Sequence, residues 1–151
     1  MRNKARSAFF SLALAATLAI PAAVSQLNSA DETTPPIVIP FAVGNQQPLT
    51  AVSAATSTVP AYFSVPAGYG HGKFYFLNNG TSNLTVTMSH SSGLEYIAAT
   101  IPAGQAYTWR STTNYPRGMR GGDYTISFHC SNGVNAKWAA FVSNSVTEAN
   151  A

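Results

Sequence analysis

Charge is scarce in this chain: Asp, Glu, Lys and Arg together make up 9% of its 151 residues, against roughly a quarter in an ordinary soluble domain. Ser, Thr, Asn and Gly supply most of the polarity instead. There is one cysteine, Cys130, so no intramolecular disulfide can form and stability must come from packing. Cys130 reads as a buried small hydrophobe, with a bridge between two copies as the alternative. The three histidines, His71, His90 and His129, lie in different segments without His-x-His or His-x-x-x-His spacing, so the common metal motifs are missing. The chain has no Gly-x-Ser-x-Gly nucleophile elbow and no repeat of fixed period. Beyond the first 25 residues no segment carries a 3.6-residue amphipathic pattern.

What is there begins with an export signal. Arg2, Lys4 and Arg6 form a basic start, Ala8 to Ile20 an apolar centre, and Ala23 and Ser25 satisfy a small-x-small rule, which places cleavage after Ser25. The apolar run is shorter than the roughly 20 residues that span a bilayer. No cysteine lies near the cleavage position to carry a lipid. Cleavage changes the electrostatics. The formal charge of +3 includes the three leader bases; after Ser25, five bases (Lys73, Arg110, Arg117, Arg120, Lys137) meet five acids (Asp31, Glu32, Glu95, Asp123, Glu148). A neutral mature chain gives no electrostatic reason to expect nucleic acid or an anionic membrane as partner. The expected location is secreted, extracellular or periplasmic.

After the leader, residues 26–59 read as an extended arm: polar to Pro35-Pro36, then apolar from Ile37 to Val43 around Pro40, a loop from Gly44 to Pro48, and a weakly alternating run from Leu49 to Val59. Prolines confine these stretches to edge strands. Residues 60–144 read as one β domain. Strands are expected at Ala61–Val65, Lys73–Leu77, Asn83–Met88, Leu94–Thr100, Ala106–Arg110, Tyr124–Cys130 and Asn135–Ser143. Phe74 and Phe76 share a face, as do Leu84, Val86 and Met88, then Tyr124, Ile126 and Phe128, then Trp138, Ala140 and Val142. Asn78-Asn79-Gly80 reads as a hairpin turn, and residues 145–151 as a polar, flexible tail. About six to nine short strands at spacings near 10 residues indicate an all-β fold. The expected architecture is an antiparallel β-sandwich, immunoglobulin-like or jelly-roll-like, with a small β-barrel as alternative.

The stretch Gly122-x-Tyr124-x-x-x-Phe128-x-Cys130 resembles the closing strand of a cupredoxin over about ten residues. Ser131 to Trp138 contain neither the His nor the Met that a blue-copper site requires. The same strand is similar to the late strand of immunoglobulin-like domains, but its spacing departs from Tyr-x-Cys and a partner cysteine is lacking. Neither resemblance carries a cofactor, and none is expected.

For hydrolysis, the acids of the predicted domain are Glu95 and Asp123, and nothing in the sequence brings them to one cleft. The densest candidate site is the segment holding Tyr107, Trp109, Arg110, Tyr115, Arg117 and Arg120. There guanidinium and aromatic groups would form a surface for a sugar, a carboxylate or a protein. The expected function is that of a secreted, non-enzymatic β-sandwich acting by binding or self-assembly. Its expected partners are a second copy, another surface protein or a carbohydrate. The alternatives are a membrane-active toxin placing Tyr107, Trp109, Tyr115 and Trp138 at a lipid interface, and a secreted hydrolase. Two Asn-x-Ser/Thr sequons, at Asn79 and Asn83, complete the features.

Overall fold

The computed structural model describes residues 42–151; the expected leader, its cleavage position and the arm as far as Phe41 lie outside the described residues. Eight strands and two short helices follow: β1 (Val43–Ala54), β2 (Thr58–Val65), β3 (His71–Asn78), β4 (Leu84–His90), β5 (Glu95–Ile101), β6 (Ala106–Arg110), α1 (Ser111–Asn114), β7 (Gly122–His129), β8 (Val134–Ser143) and α2 (Val146–Asn150). The strands form two four-stranded sheets, a front sheet ordered β1-β8-β3-β6 and a back sheet ordered β2-β7-β4-β5. Every paired neighbour is antiparallel. Only β4 and β5 are consecutive strands in one sheet; every other connection crosses between sheets. This is a jelly roll. The sheets stay open along β1 and β2 and along β5 and β6, so the barrel alternative is not the architecture, nor is the seven-strand immunoglobulin arrangement.

Alternation drives the assembly. On β7 Tyr124, Ile126 and Phe128 are buried while Asp123, Thr125 and His129 are exposed. The same period of two buries Leu84, Val86 and Met88 on β4, Phe74 and Phe76 on β3, and Trp138, Ala140 and Val142 on β8. Burying one large side chain removes about 1.5–3 kcal/mol of unfavourable hydration, so each register is fixed by its inner face. Alternation breaks on β5, where the register shifts between Met88 and Ser89 and both Tyr96 and Ile97 are buried. Inside, packed rings run continuously: Phe74 meets Phe63 and Trp109 edge to face, as Phe63 meets Trp138 and Phe128 meets Phe76, and Phe128 packs tilted on Trp138.

Three sequence expectations change. Gly44–Pro48 is not a loop but part of β1, whose 12 residues form the edge of the front sheet. An edge strand tolerates Pro48, and the ladder shifts register between Gln47 and Thr50 to pass it. Pro60 likewise sits in β2, the edge of the back sheet. Asn78 to Ser82 is a corner between sheets rather than a hairpin. Gly80 is absent from the glycines with positive φ. The buried Asn78 side chain shapes the corner instead, donating Nδ2 to the carbonyls of Ser82 (2.8 Å) and Ile101 (2.9 Å) and accepting the Gly80 N–H at Oδ1 (2.9 Å). Finally, Val146–Asn150, read as tail, form α2 with Ala149 fully buried.

Candidate functional site

The six residues singled out by sequence divide among three environments. Trp109 is 5% exposed and meets Phe74, Tyr96 and Tyr115 at centroid distances of 5.9, 6.4 and 6.3 Å. Tyr107 lies half-buried on the same inner face, opposite Phe76. Tyr115 is half-buried and leans on Tyr96 at 4.5 Å. Arg110, one residue beyond Trp109, points the opposite way and sits across from Lys73 on the outer face of the front sheet. Arg117 and Arg120 are exposed on the β6–β7 loop. Trp109 is therefore buried away from the arginines, and Arg110 faces away from Tyr107 and Trp109, while Tyr115 shares its loop with Arg117 and Arg120. Trp109 and Trp138, at 5% and 3% exposure, are likewise withheld from any lipid interface. Among the described residues no helix is long and apolar enough to cross a membrane.

The loop around the arginines is held from both sides by tyrosines. The Arg120 N–H donates to Tyr96 Oη (3.2 Å), and Tyr124 Oη donates to the Arg120 carbonyl (2.7 Å). Burial, reinforced by the neighbouring Tyr96 hydroxyl, raises the Tyr124 phenol far above the ordinary range. A raised folded value means that Tyr124 contributes stability fully below pH ~10, where an unfolded tyrosine ionises, and loses it as pH climbs above that. Tyr124→Phe should therefore lower stability by about 1 kcal/mol at neutral pH through the lost hydrogen bond. It should also flatten the fall in stability above pH ~10, as read by urea unfolding across a pH series.

The two acids of the strands, Glu95 on β5 and Asp123 on β7, lie either side of β4 in the back sheet. Glu95 and Asp123 are both exposed. His90 comes nearest to catalytic geometry, with Nδ1 2.8 Å from Ser92 Oγ. Its Nδ1 also accepts the Ser92 N–H (3.1 Å), which puts the proton on Nε2, and Nε2 donates to the Gly121 carbonyl (3.2 Å). A carbonyl stands where a triad needs a carboxylate, so His90 is a clasp between the β4–β5 turn and the start of β7. No group of three His, Cys, Asp or Glu among the described residues is placed to hold a metal. Cys130 is buried at 4% exposure.

The arrangement with the most binding character lies on the outer face of the front sheet. The ladders align it in rows: Gln46, Phe141, Lys73 and Arg110; then Ala139, Tyr75 and Thr108; then Ala51, Lys137, Leu77 and Ala106. A groove of about 380 Å³ runs between the shifted part of β1 and strands β8 and β3, with Gln46, Gln47, Lys73, Tyr75 and Phe141 in its walls. Gln47 is oriented by a 2.7 Å bond from Nε2 to Thr50 Oγ1, and Lys73 Nζ donates to the carbonyl of Ala151. The alternation that turns Phe74 and Phe76, and Trp138, Ala140 and Val142, inward leaves Tyr75 and Phe141 on the opposite faces of their strands. Sequence reading missed the site because only the long-range pairing of β3 with β8 brings these rows together.

No family model matches the chain, and no curated protein matches it. Among solved structures it is similar to the Anabaena sensory rhodopsin transducer (18% identity, 58% of this chain and 98% of that one, TM-score 0.36). It is also similar to FlgD from Xanthomonas campestris, described for hook capping in flagellar assembly (19% identity, 67% of this chain and 70% of that one, TM-score 0.33). A third is an exo-β-1,3-galactanase from Phanerochaete chrysosporium with galactose (14% identity, 70% of this chain, TM-score 0.37). The chain spans 30% of the galactanase. At such scores the likenesses assign no activity, and the fold rests on the strand pairing itself.

Proposed function

We propose that this chain is a secreted, non-enzymatic β-sandwich that acts by binding, or by assembling with itself or another surface protein, through the outer face of its front sheet. The groove is the observation that carries this reading. It sets two partly exposed aromatic rings, Tyr75 and Phe141, beside carboxamides and a cation on strands whose inner faces are locked in the core. Aromatic anchors with a polar rim on a rigid support are the usual make-up of a recognition surface. The leader pattern and the neutral, hydroxyl-rich mature chain support a place outside the cytoplasm.

The test compares two double variants of the mature protein, Tyr75→Ala with Phe141→Ala and Arg117→Ala with Arg120→Ala. Each is assayed by light scattering for assembly and by gel retardation on soluble polysaccharides. Loss of about tenfold or more in the first pair, with the second pair unchanged, supports the proposal. Loss confined to the arginine pair overturns it.

A further inference from the structure

Resting on that reading, we infer that the front-sheet groove takes an acidic polysaccharide, a polymer bearing carboxylates such as a polyuronate. Three of the five bases among the described residues gather on one face, while Arg117 and Arg120 lie on the β6–β7 loop. Lys73, Arg110 and Lys137 all lie on the outer rows of the front sheet, whose strands carry no acid. Glu95 and Asp123 belong to the back sheet. Glu148 lies on α2, which packs against β3 and β8 at the end of the front sheet, and its Oε2 is buried. The outer rows of the front-sheet strands are therefore basic within a chain that is neutral beyond its first 25 residues.

The geometry suits a chain of sugars. Lys73 and Arg110 stand directly opposite each other, while Lys137 lies one strand across and four residues along from Lys73's partner Phe141. Strand geometry puts Lys73 and Lys137 roughly 14 Å apart, a span of several rings. Tyr75 and Phe141 between them offer flat apolar surfaces to the C–H faces of sugars, and Gln46 and Gln47 offer carboxamides to hydroxyls. Arg110 is only partly exposed, with its Nε buried, and Lys73, with one N–H given to the main-chain oxygen of Ala151, keeps two. Carboxylates spaced along a polymer would meet the Lys73 and Lys137 ammonium groups as charge-assisted hydrogen bonds.

The same charges argue against other occupants. A second copy docked through this face by a two-fold axis would set the basic rows against one another. An anionic bilayer is usually recognised by clusters of 4–8 basic residues, and this face has three.

The test is affinity electrophoresis of the mature protein through gels containing polygalacturonate, with dextran gels and phosphatidylserine vesicles as parallel arms. Retardation by polygalacturonate alone is expected, weakening as salt is raised. Lys137→Glu, at an exposed position, should weaken it about tenfold, as should Tyr75→Ala; circular dichroism melts confirm that both variants fold. Equal retardation by dextran overturns the acidic class. Binding to vesicles but not to polygalacturonate overturns the inference in favour of a membrane. If no polymer is bound but the protein forms oligomers that Tyr75→Ala dissolves, this inference fails and the broader reading stands. Neither binding nor assembly removes both.

Discussion

Trp109→Ala will destabilise the fold by about 3–5 kcal/mol, while Arg117→Ala and Arg120→Ala together will change stability by less than about 0.5 kcal/mol. Urea unfolding followed by tyrosine fluorescence measures both. The contrast follows from position. Trp109 is 5% exposed and joins Phe74 to Tyr96 and Tyr115, so truncation removes the rings' mutual contacts and leaves a cavity between the sheets. The two arginine side chains are exposed, and the loop beneath them is fixed through its main chain by Tyr96 and Tyr124. A Trp109→Ala protein that unfolds at the wild-type midpoint would mean that the ring is not part of the core.

A second large effect is expected at Gly70. The β2–β3 and β6–β7 loops meet backbone to backbone there: the Met119 N–H donates to the Gly70 carbonyl at 2.7 Å, and a Cβ at Gly70 would lie 2.3 Å from the Met119 carbonyl oxygen and 2.8 Å from its nitrogen. Main chain cannot swing aside as a side chain can. Gly70→Ala should therefore cost about 3 kcal/mol and loosen the loop that seats Met119 in the core. Gly68, in the same loop, has φ +86, and a Cβ there would have nothing within 4 Å. Gly68→Ala should cost only the left-handed backbone penalty, about 1 kcal/mol. Equal losses at the two positions would show that the loops do not touch as described.

The strands with one fully buried face were legible in the sequence, since Tyr124-x-Ile126-x-Phe128 and Leu84-x-Val86-x-Met88 alternate without exception. The sheet to which each strand belongs was not. Asn79-Gly80 favours a hairpin locally, yet the Asn78 carboxamide, by bonding to Ile101 on β5 and to its own turn, sends the chain across to the other sheet. Nor did sequence proximity locate the proposed front-sheet surface. Trp109 and Arg110 are neighbours in the chain and, for that reason, point to opposite faces of β6. Tyr75 and Phe141, 66 positions apart, come together through the β3–β8 ladder, in which Tyr75 pairs with Ala139 and Lys73 with Phe141. Alternation is a local property and register between distant strands is not.

The claim that the outer front sheet is the working surface is tested most directly by hydroxyl-radical footprinting of the chain from Gln26 onward, read residue by residue by mass spectrometry. The protein is labelled dilute, concentrated and with polygalacturonate. Tyr62, 72% exposed on the back sheet, serves as the internal reference. Protection of Tyr75 and Phe141 on concentration or on adding the polymer, with Tyr62 labelled as before, is the predicted result. Protection of Tyr62 while Tyr75 and Phe141 remain open would contradict it.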